Sequence, residues 1–89
     1  MNEALIRKTI HDYIVTTWLS GDERDFSDDA DLLKAGILDS FTTLNLAAFL
    51  DESFRAALDP AEINPQNFRS VNALTQTVLA KLATAPTTP

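Results

Sequence analysis

The residues that could do chemistry meet at Asp39-Ser40, where a loop leads into an amphipathic run. A serine hydroxyl at the start of a helix can cap the helix or stay exposed as a reactive group. A catalytic serine would need a base within hydrogen-bond reach, and the only histidine, His11, is expected at the surface or boundary of the first helix. The Gly-x-Ser-x-Gly turn of hydrolases does not surround Ser40. The sequence therefore argues against a hydrolase and leaves a cap or an exposed reactive group.

Acidic side chains in the connection before that serine raise the question of a calcium site. Asp25, Ser27 and Asp29 match the first, third and fifth positions of an EF-hand loop. The sixth position is Ala30 and the twelfth is Gly36, where that loop needs a glycine and a bidentate glutamate. The chain also lacks cysteine, which excludes thiolate ligands and disulfides. We expect a solvated acidic loop and no metal site.

Length and composition bound the fold and the class of function. The 89 residues, 45% of them hydrophobic, suffice for one small domain with a compact core but not for a deep substrate cavity. Only two glycines and four prolines occur, which favours long helices over a turn-rich β-sandwich. We therefore expect an all-α domain that is not an enzyme.

The net charge of −6 and the pI of about 4.4 indicate which partners suit the chain. An acidic surface repels nucleic-acid phosphates and anionic lipid headgroups, so basic patches on partner proteins are the expected complement. The N-terminus shows no signal-peptide pattern, and no run reaches the roughly 18 apolar residues of a membrane span. The expectation is a cytoplasmic monomer that binds neither nucleic acid nor membrane.

Helical periodicity predicts a small antiparallel four-helix bundle with three main helices and one short helix. Asn2 is the expected N-cap of the first helix and Ser20-Gly21 its end, while Asp59 and Ser70 are expected to cap the third and fourth helices. The predicted helices cover residues 2–19, 40–57, 58–63 and 71–83.

The same periodicity predicts the core. The long connection at residues 21–39 needs apolar pins and contains one helical turn at residues 31–34, which Gly36 ends. Residues 1–84 form the domain, and residues 85–89 are expected to be a flexible tail. The predicted pins are Phe26, Leu32, Leu33, Ile37 and Leu38. The predicted core stripes are Leu5, Ile6, Ile10, Ile14 and Trp18; Leu46, Ala47, Leu50, Phe54 and Ala57; and Val71, Leu74, Val78 and Leu82.

A second apolar strip on the predicted second helix consists of Phe41, Leu44 and Ala48. An apolar strip left over beside the core stripe is typical of a partner surface. A wide core face of about 100° of arc explains the same residues. Both interpretations stay open at this level.

The chain resembles the acyl carrier protein family, which includes peptidyl and other aminoacyl carrier domains. The resemblance rests on Asp31-Leu32 followed by Gly36, on Asp39-Ser40 before an apolar residue, on the apolar ladder of the second helix, and on residues 68–71 before the last helix. It spans about residues 3–83. The ladder is formed by Leu44, Leu46, Leu50 and Phe54.

The resemblance implies that a separate phosphopantetheinyl transferase attaches 4′-phosphopantetheine from coenzyme A to Ser40, with Asp39 helping recognition. The attached phosphodiester is expected beside unpaired backbone N–H groups at the positive end of the helix. A loading enzyme would add an acyl or aminoacyl thioester, and a downstream synthase or transferase would take it. The implied docking residues are Phe41, Leu44, Ala48, Asp51, Glu52 and Ile63.

Two departures from fatty-acid carriers narrow the resemblance. Thr42 and Asn45 stand where those carriers typically have acidic residues, so the front of the docking helix is nearly neutral. Residues 36–40 are similar to D-alanyl carriers and small stand-alone carriers of specialised metabolism, and residues 64–70 to stand-alone carriers of glycerate-derived polyketide extender units.

We predict a discrete carrier in polyketide or nonribosomal peptide-type metabolism, since the chain starts at Met1 and ends soon after the last helix. One alternative is a D-alanyl carrier for cell-envelope modification. Another, of a different class, is a helical interaction module without prosthetic group.

Overall fold

The computed structural model describes residues 2–19, 21 and 26–84, and the regular secondary structure of these residues is all helical, with no strand. The three main predicted helices are present as α1 (Glu3–Trp18), α2 (Ser40–Phe54) and α3 (Val71–Thr84), and a 3-10 turn forms at Pro60–Glu62. Ser20 at the predicted end of the first helix, Asp25 of the predicted solvated acidic loop, and the predicted tail lie outside the described residues. The antiparallel four-helix bundle stays a prediction.

Helix α1 begins as its sequence predicts but buries a narrower stripe. Asn2 Oδ1 accepts a hydrogen bond from the Leu5 backbone N–H at 2.7 Å, which satisfies a first-turn donor. The buried face follows the i, i+4, i+8 spacing of Ile6, Ile10 and Ile14. Leu5 lies about 100° of rotation away from Ile6 and is 52% exposed, so its predicted place in the core is wrong.

Helix α2 ends three residues earlier than predicted. Arg55 adopts a left-handed conformation with φ 54°, and its N–H donates to Asp51 O at 2.8 Å, which closes the last turn. Beyond it the helical period no longer applies, because exposed Ala57 lies between buried Ala56 and buried Leu58. The predicted core position of Ala57 is therefore wrong, and its two neighbours take that place.

The core joins the three helices and the long connection. Helix α1 packs against α3, and the rings of Tyr13 on α1 and Phe49 on α2 stack with centroids 3.7 Å apart. The radius of gyration is 12.6 Å, close to the value of about 12 Å for a compact domain of this length. Fully buried side chains include Ile6, Ile10, Ile14, Leu32, Leu46, Leu50, Val71, Leu74 and Val78.

The connection before α2 is pinned much as the sequence predicts. Leu32 and Leu38 are buried, while Phe26 and Ile37 are partly buried against the core. Leu33 is the exception, because 39% of it is exposed.

Hydrogen bonds fix the same connection to the start of α3. Leu32 N donates to Arg69 O at 2.7 Å, and Asn72 N donates to Asp28 O at 3.0 Å. The Asn72 side chain accepts from Arg7 Nε at 2.7 Å and donates to Asp29 Oδ1 at 2.5 Å. The connection is thus a fixed part of the domain over its described length.

The last part of this connection is a tight turn that leads into α2. Asp31 Oδ1 accepts hydrogen bonds from the backbone N–H groups of Leu33 and Lys34, and these bonds lower the Asp31 pKa, the Lys34 bond most of all. Gly36 follows with φ 77°, a backbone conformation that favours glycine. The turn brings Leu38 into the core two residues before the start of α2.

None of the helices in the described part of the chain is long and apolar enough to cross a membrane.

Candidate functional site

The cap of α2 is made by Asp39 together with Thr42. Asp39 Oδ1 accepts hydrogen bonds from the N–H groups of Phe41 and Thr42, both at 2.9 Å. In return Thr42 Oγ1 accepts from the Asp39 N–H at 2.7 Å, which completes a capping box. The Thr42 N–H, and then the Thr42 hydroxyl, hold the pKa of Asp39 below its ordinary value, so its carboxylate stays ionised.

Ser40 is the first residue of α2, and its side chain plays no part in this cap. It is exposed, and its Oγ has no hydrogen-bond partner among residues 2–19, 21 and 26–84. Of the two interpretations of Ser40, the structure favours an exposed hydroxyl over a helix cap, because Asp39 already does the capping.

The structure limits one expectation about this site, because two of the first-turn N–H groups of α2 are occupied. The sequence argument places an attached phosphodiester beside unpaired N–H groups at the start of α2. The N–H groups of Phe41 and Thr42 are instead occupied by the Asp39 carboxylate, which also carries a negative charge. A group on Ser40 would therefore be held by its covalent bond and not by these two amides.

An open groove of about 490 Å³ lies beside Ser40. Phe68 is almost fully buried at its base, and the exposed parts of Leu33 and Leu44 extend it towards solvent. Three segments form it, which are the turn before α2, the first turns of α2 that directly follow, and the more distant connection to α3. The lining residues are Leu33, Asp39, Ser40, Thr43, Leu44, Ile63, Asn64, Pro65 and Phe68.

The predicted docking residues divide between two places. Leu44, which is 60% exposed, and partly buried Ile63 line the groove beside Ser40. Ala48 and Glu52 line a second groove, of about 290 Å³, which the aromatic rings of α1 and α2 border. The members of this second groove are Tyr13, Thr17, Trp18, Asn45, Ala48, Phe49 and Glu52.

The two other docking candidates have different surroundings. Phe41 is 71% exposed, more than any other large hydrophobic side chain in the described part of the chain. Asp51 is half-buried, and its carboxylate accepts the Leu58 N–H at 3.0 Å. Phe41 is thus open to a partner, whereas Asp51 is engaged in holding the chain after α2.

His11 is placed away from this groove, as a boundary residue. Its Nδ1 lies 2.8 Å from Asp28 Oδ1, and its ring packs against Phe26 with centroids 5.0 Å apart. It lines a separate pocket with Arg7 and Asp12. Within the described residues no group of three or more histidine, aspartate or glutamate side chains could hold a metal ion.

Sequence reasoning missed most of the groove. Leu33 was expected in the core, and nothing in the sequence linked Asn64, Pro65 or Phe68 to Ser40. In the sequence argument, Thr42 appears only as a residue that differs from the acidic residue typical of fatty-acid carriers. Its spacing of three residues after Asp39 is the capping-box spacing, and this signal could have identified Asp39 as the cap.

The chain matches no protein-family model and no curated protein.

Proposed function

We propose that this chain is a carrier protein whose Ser40 hydroxyl is esterified by 4′-phosphopantetheine. The observation that carries the proposal is that Asp39, and not Ser40, caps the start of α2. Ser40 Oγ is therefore left exposed and without a hydrogen-bond partner among the described residues. A serine needed only for capping would make the bonds that Asp39 makes. The resemblance at residues 31–41 supplies the identity of the group.

For the attachment reaction, this chain needs to supply only the Ser40 hydroxyl as the nucleophile. Ser40 Oγ would attack the β-phosphorus of coenzyme A, forming a new P–O bond while the pyrophosphate bond breaks and 3′,5′-ADP leaves. The hydroxyl proton would pass to a base on the transferase, because the described part of this chain offers Ser40 no hydrogen-bonded base. When bound, the group supplies a thiol that carries acyl or aminoacyl units as thioesters.

The surface around Ser40 is suited to transient binding by several partner enzymes. Phe41 and Leu44 are exposed beside it, and no residue between Ser40 and Leu50 is charged. We also propose that the fold is the four-helix bundle of carrier proteins, and that the protein acts in polyketide or nonribosomal peptide-type metabolism. A carrier of D-alanine would use the same serine, so it differs in its loading enzyme and not in this site.

Intact-protein mass spectrometry tests the proposal after incubation with coenzyme A and a promiscuous phosphopantetheinyl transferase. We expect a gain of one phosphopantetheine for the wild type, none for Ser40→Ala, and the full gain for Ser53→Ala, a matched control because Ser53 is also exposed on α2. If folded wild type gains nothing with two different transferases, the proposal fails and a helical interaction module becomes the better interpretation.

A further inference from the structure

The wall of the groove opposite α2 is formed by the connection to α3. Ile63, Asn64 and Pro65 line the groove directly after the 3-10 turn at Pro60–Glu62. A turn of three residues has little stability of its own, so the position of this wall depends on what holds the turn.

Glu62 is the residue at which the bonds of this turn converge. Its Oε1 accepts the Asp59 N–H at 2.8 Å, and its backbone carbonyl accepts from Asn67 Nδ2 at 2.9 Å. From α3, Lys81 Nζ donates to the same Glu62 Oε1 at 2.7 Å and lies 3.6 Å from Asp59 Oδ2. One carboxylate therefore ties the start of the turn to the last helix.

The Lys81–Glu62 pair is better shielded from solvent than the Lys8–Asp12 pair on α1. The side chains of Lys81 and Glu62 are 22% and 31% exposed, against 73% and 52% for Lys8 and Asp12 on α1. The pKa of Glu62 is lowered, first by the hydrogen bond from Lys81, and the pKa of Lys81 is raised, first by Glu62. Both shifts agree that each charge favours the other.

We propose that the Lys81–Glu62 ion pair is a latch that fixes the Ile63–Pro65 wall of the groove, and that Lys81 is thereby a positioning residue for the group that Ser40 carries. The positioning role rests on the proposed function for the identity of that group, whereas the latch itself does not. Lys81 acts through Glu62 and the turn, since it is not among the residues that line the groove in the described part of the chain.

The latch is tested first on the unmodified protein, by the methyl NMR signals of Ile63 and Leu44. Lys81→Met and Glu62→Gln should each shift both signals, and the double variant should add no further shift, because either change alone opens the pair. The glutamine of Glu62→Gln can still accept the Asp59 N–H, so that variant isolates the charge. Lys8→Met is the matched control and should leave both signals in place.

A second measurement follows the loaded protein. With acetyl- or octanoyl-phosphopantetheine on Ser40, the ratio of the two rates of thioester cleavage by hydroxylamine should change in Lys81→Met and not in Lys8→Met. A change in that ratio is not expected from a loss of stability alone, since both thioesters sit on the same variant.

The outcomes separate the latch from the carrier function. Unchanged Ile63 and Leu44 signals in folded Lys81→Met and Glu62→Gln would overturn the latch. An unchanged cleavage ratio would overturn the positioning role of Lys81. If Ser40 cannot be loaded, the proposed function fails while the NMR comparison still decides the latch.

Discussion

At the scale of single residues, the role of Ser40 follows from its neighbour. Asp39 and Ser40 are both good capping residues by type, and in the sequence only the position of Thr42, three residues after Asp39, favours Asp39. In the structure the Asp39 carboxylate reaches the N–H groups of Phe41 and Thr42, while Thr42 closes the box from the other side. The exposed hydroxyl of Ser40 is a consequence of this choice.

A pair of alanine substitutions tests the assignment of the cap. Asp39→Ala removes the acceptor of two first-turn N–H groups, so the midpoint of unfolding in urea should fall clearly. Ser40→Ala removes no hydrogen bond that the described residues make, and alanine has the higher helix propensity, so its midpoint should stay or rise slightly. Circular dichroism measures both. A fall as large for Ser40→Ala as for Asp39→Ala would show that the serine caps the helix after all.

At the scale of elements, the long connection before α2 behaves as part of the core. Periodicity cannot assign burial in such a segment, because it has no regular repeat from which a face could be read. Composition still predicts most of the apolar residues that pin the connection to the core. Among the described ones, only Leu33 is exposed where burial is predicted. Its neighbour Leu32 takes the buried position and a backbone bond to Arg69.

Leu32 and Leu33 provide a matched test of this packing. Leu32→Ala should lower the free energy of unfolding by about 2–5 kcal/mol, because it leaves a cavity in the core. Leu33→Ala should cost roughly 1 kcal/mol, since its side chain is already partly in solvent. Urea unfolding of both variants measures the difference. Equal losses would contradict the fixed position of the connection.

The limits of sequence reasoning lie at helix ends and between elements. The starts of α1 and α3 were predictable, because Asn2 and Ser70 each accept a backbone N–H three residues ahead. The end of α2 was not, because the left-handed Arg55 is a non-glycine residue that no local rule indicates. The groove beside Ser40 could not be predicted either, since its walls come from three separate segments whose packing depends on the whole core.

At the scale of the whole molecule, the charge is distributed unevenly. The chain carries a net charge of −6, yet the first eleven residues of α2 are uncharged. Under the proposed function, long-range attraction to basic partners and close contact beside Ser40 would therefore act separately. Carboxylates that accept backbone hydrogen bonds have a second role, which is to hold turns and helix ends.

These hydrogen-bonded carboxylates make the stability of the fold depend on pH. The pKa values of Asp31 and Asp39 are lowered from 3.8, and that of Glu62 from 4.5, by the hydrogen bonds that each carboxylate accepts. A carboxyl group with a lower pKa in the folded state stabilises the fold fully above its unfolded-state pKa, and this contribution is lost as the pH falls through the folded-state pKa. The raised pKa of Lys81 has the opposite sign, so its contribution is lost as the pH rises above 10.5.

The free energy of unfolding should therefore fall as the pH drops below about 4.5, and fall again above about pH 10.5. Urea unfolding at a series of pH values measures both limbs. The triple variant Asp31→Asn, Asp39→Asn and Glu62→Gln should begin less stable at neutral pH and lose less on acidification, because its amides do not titrate. Lys81→Met should weaken the alkaline limb and keep the acid loss that Asp31 and Asp39 cause. An acid limb equally steep in the triple variant would mean that other carboxyl groups control acid unfolding.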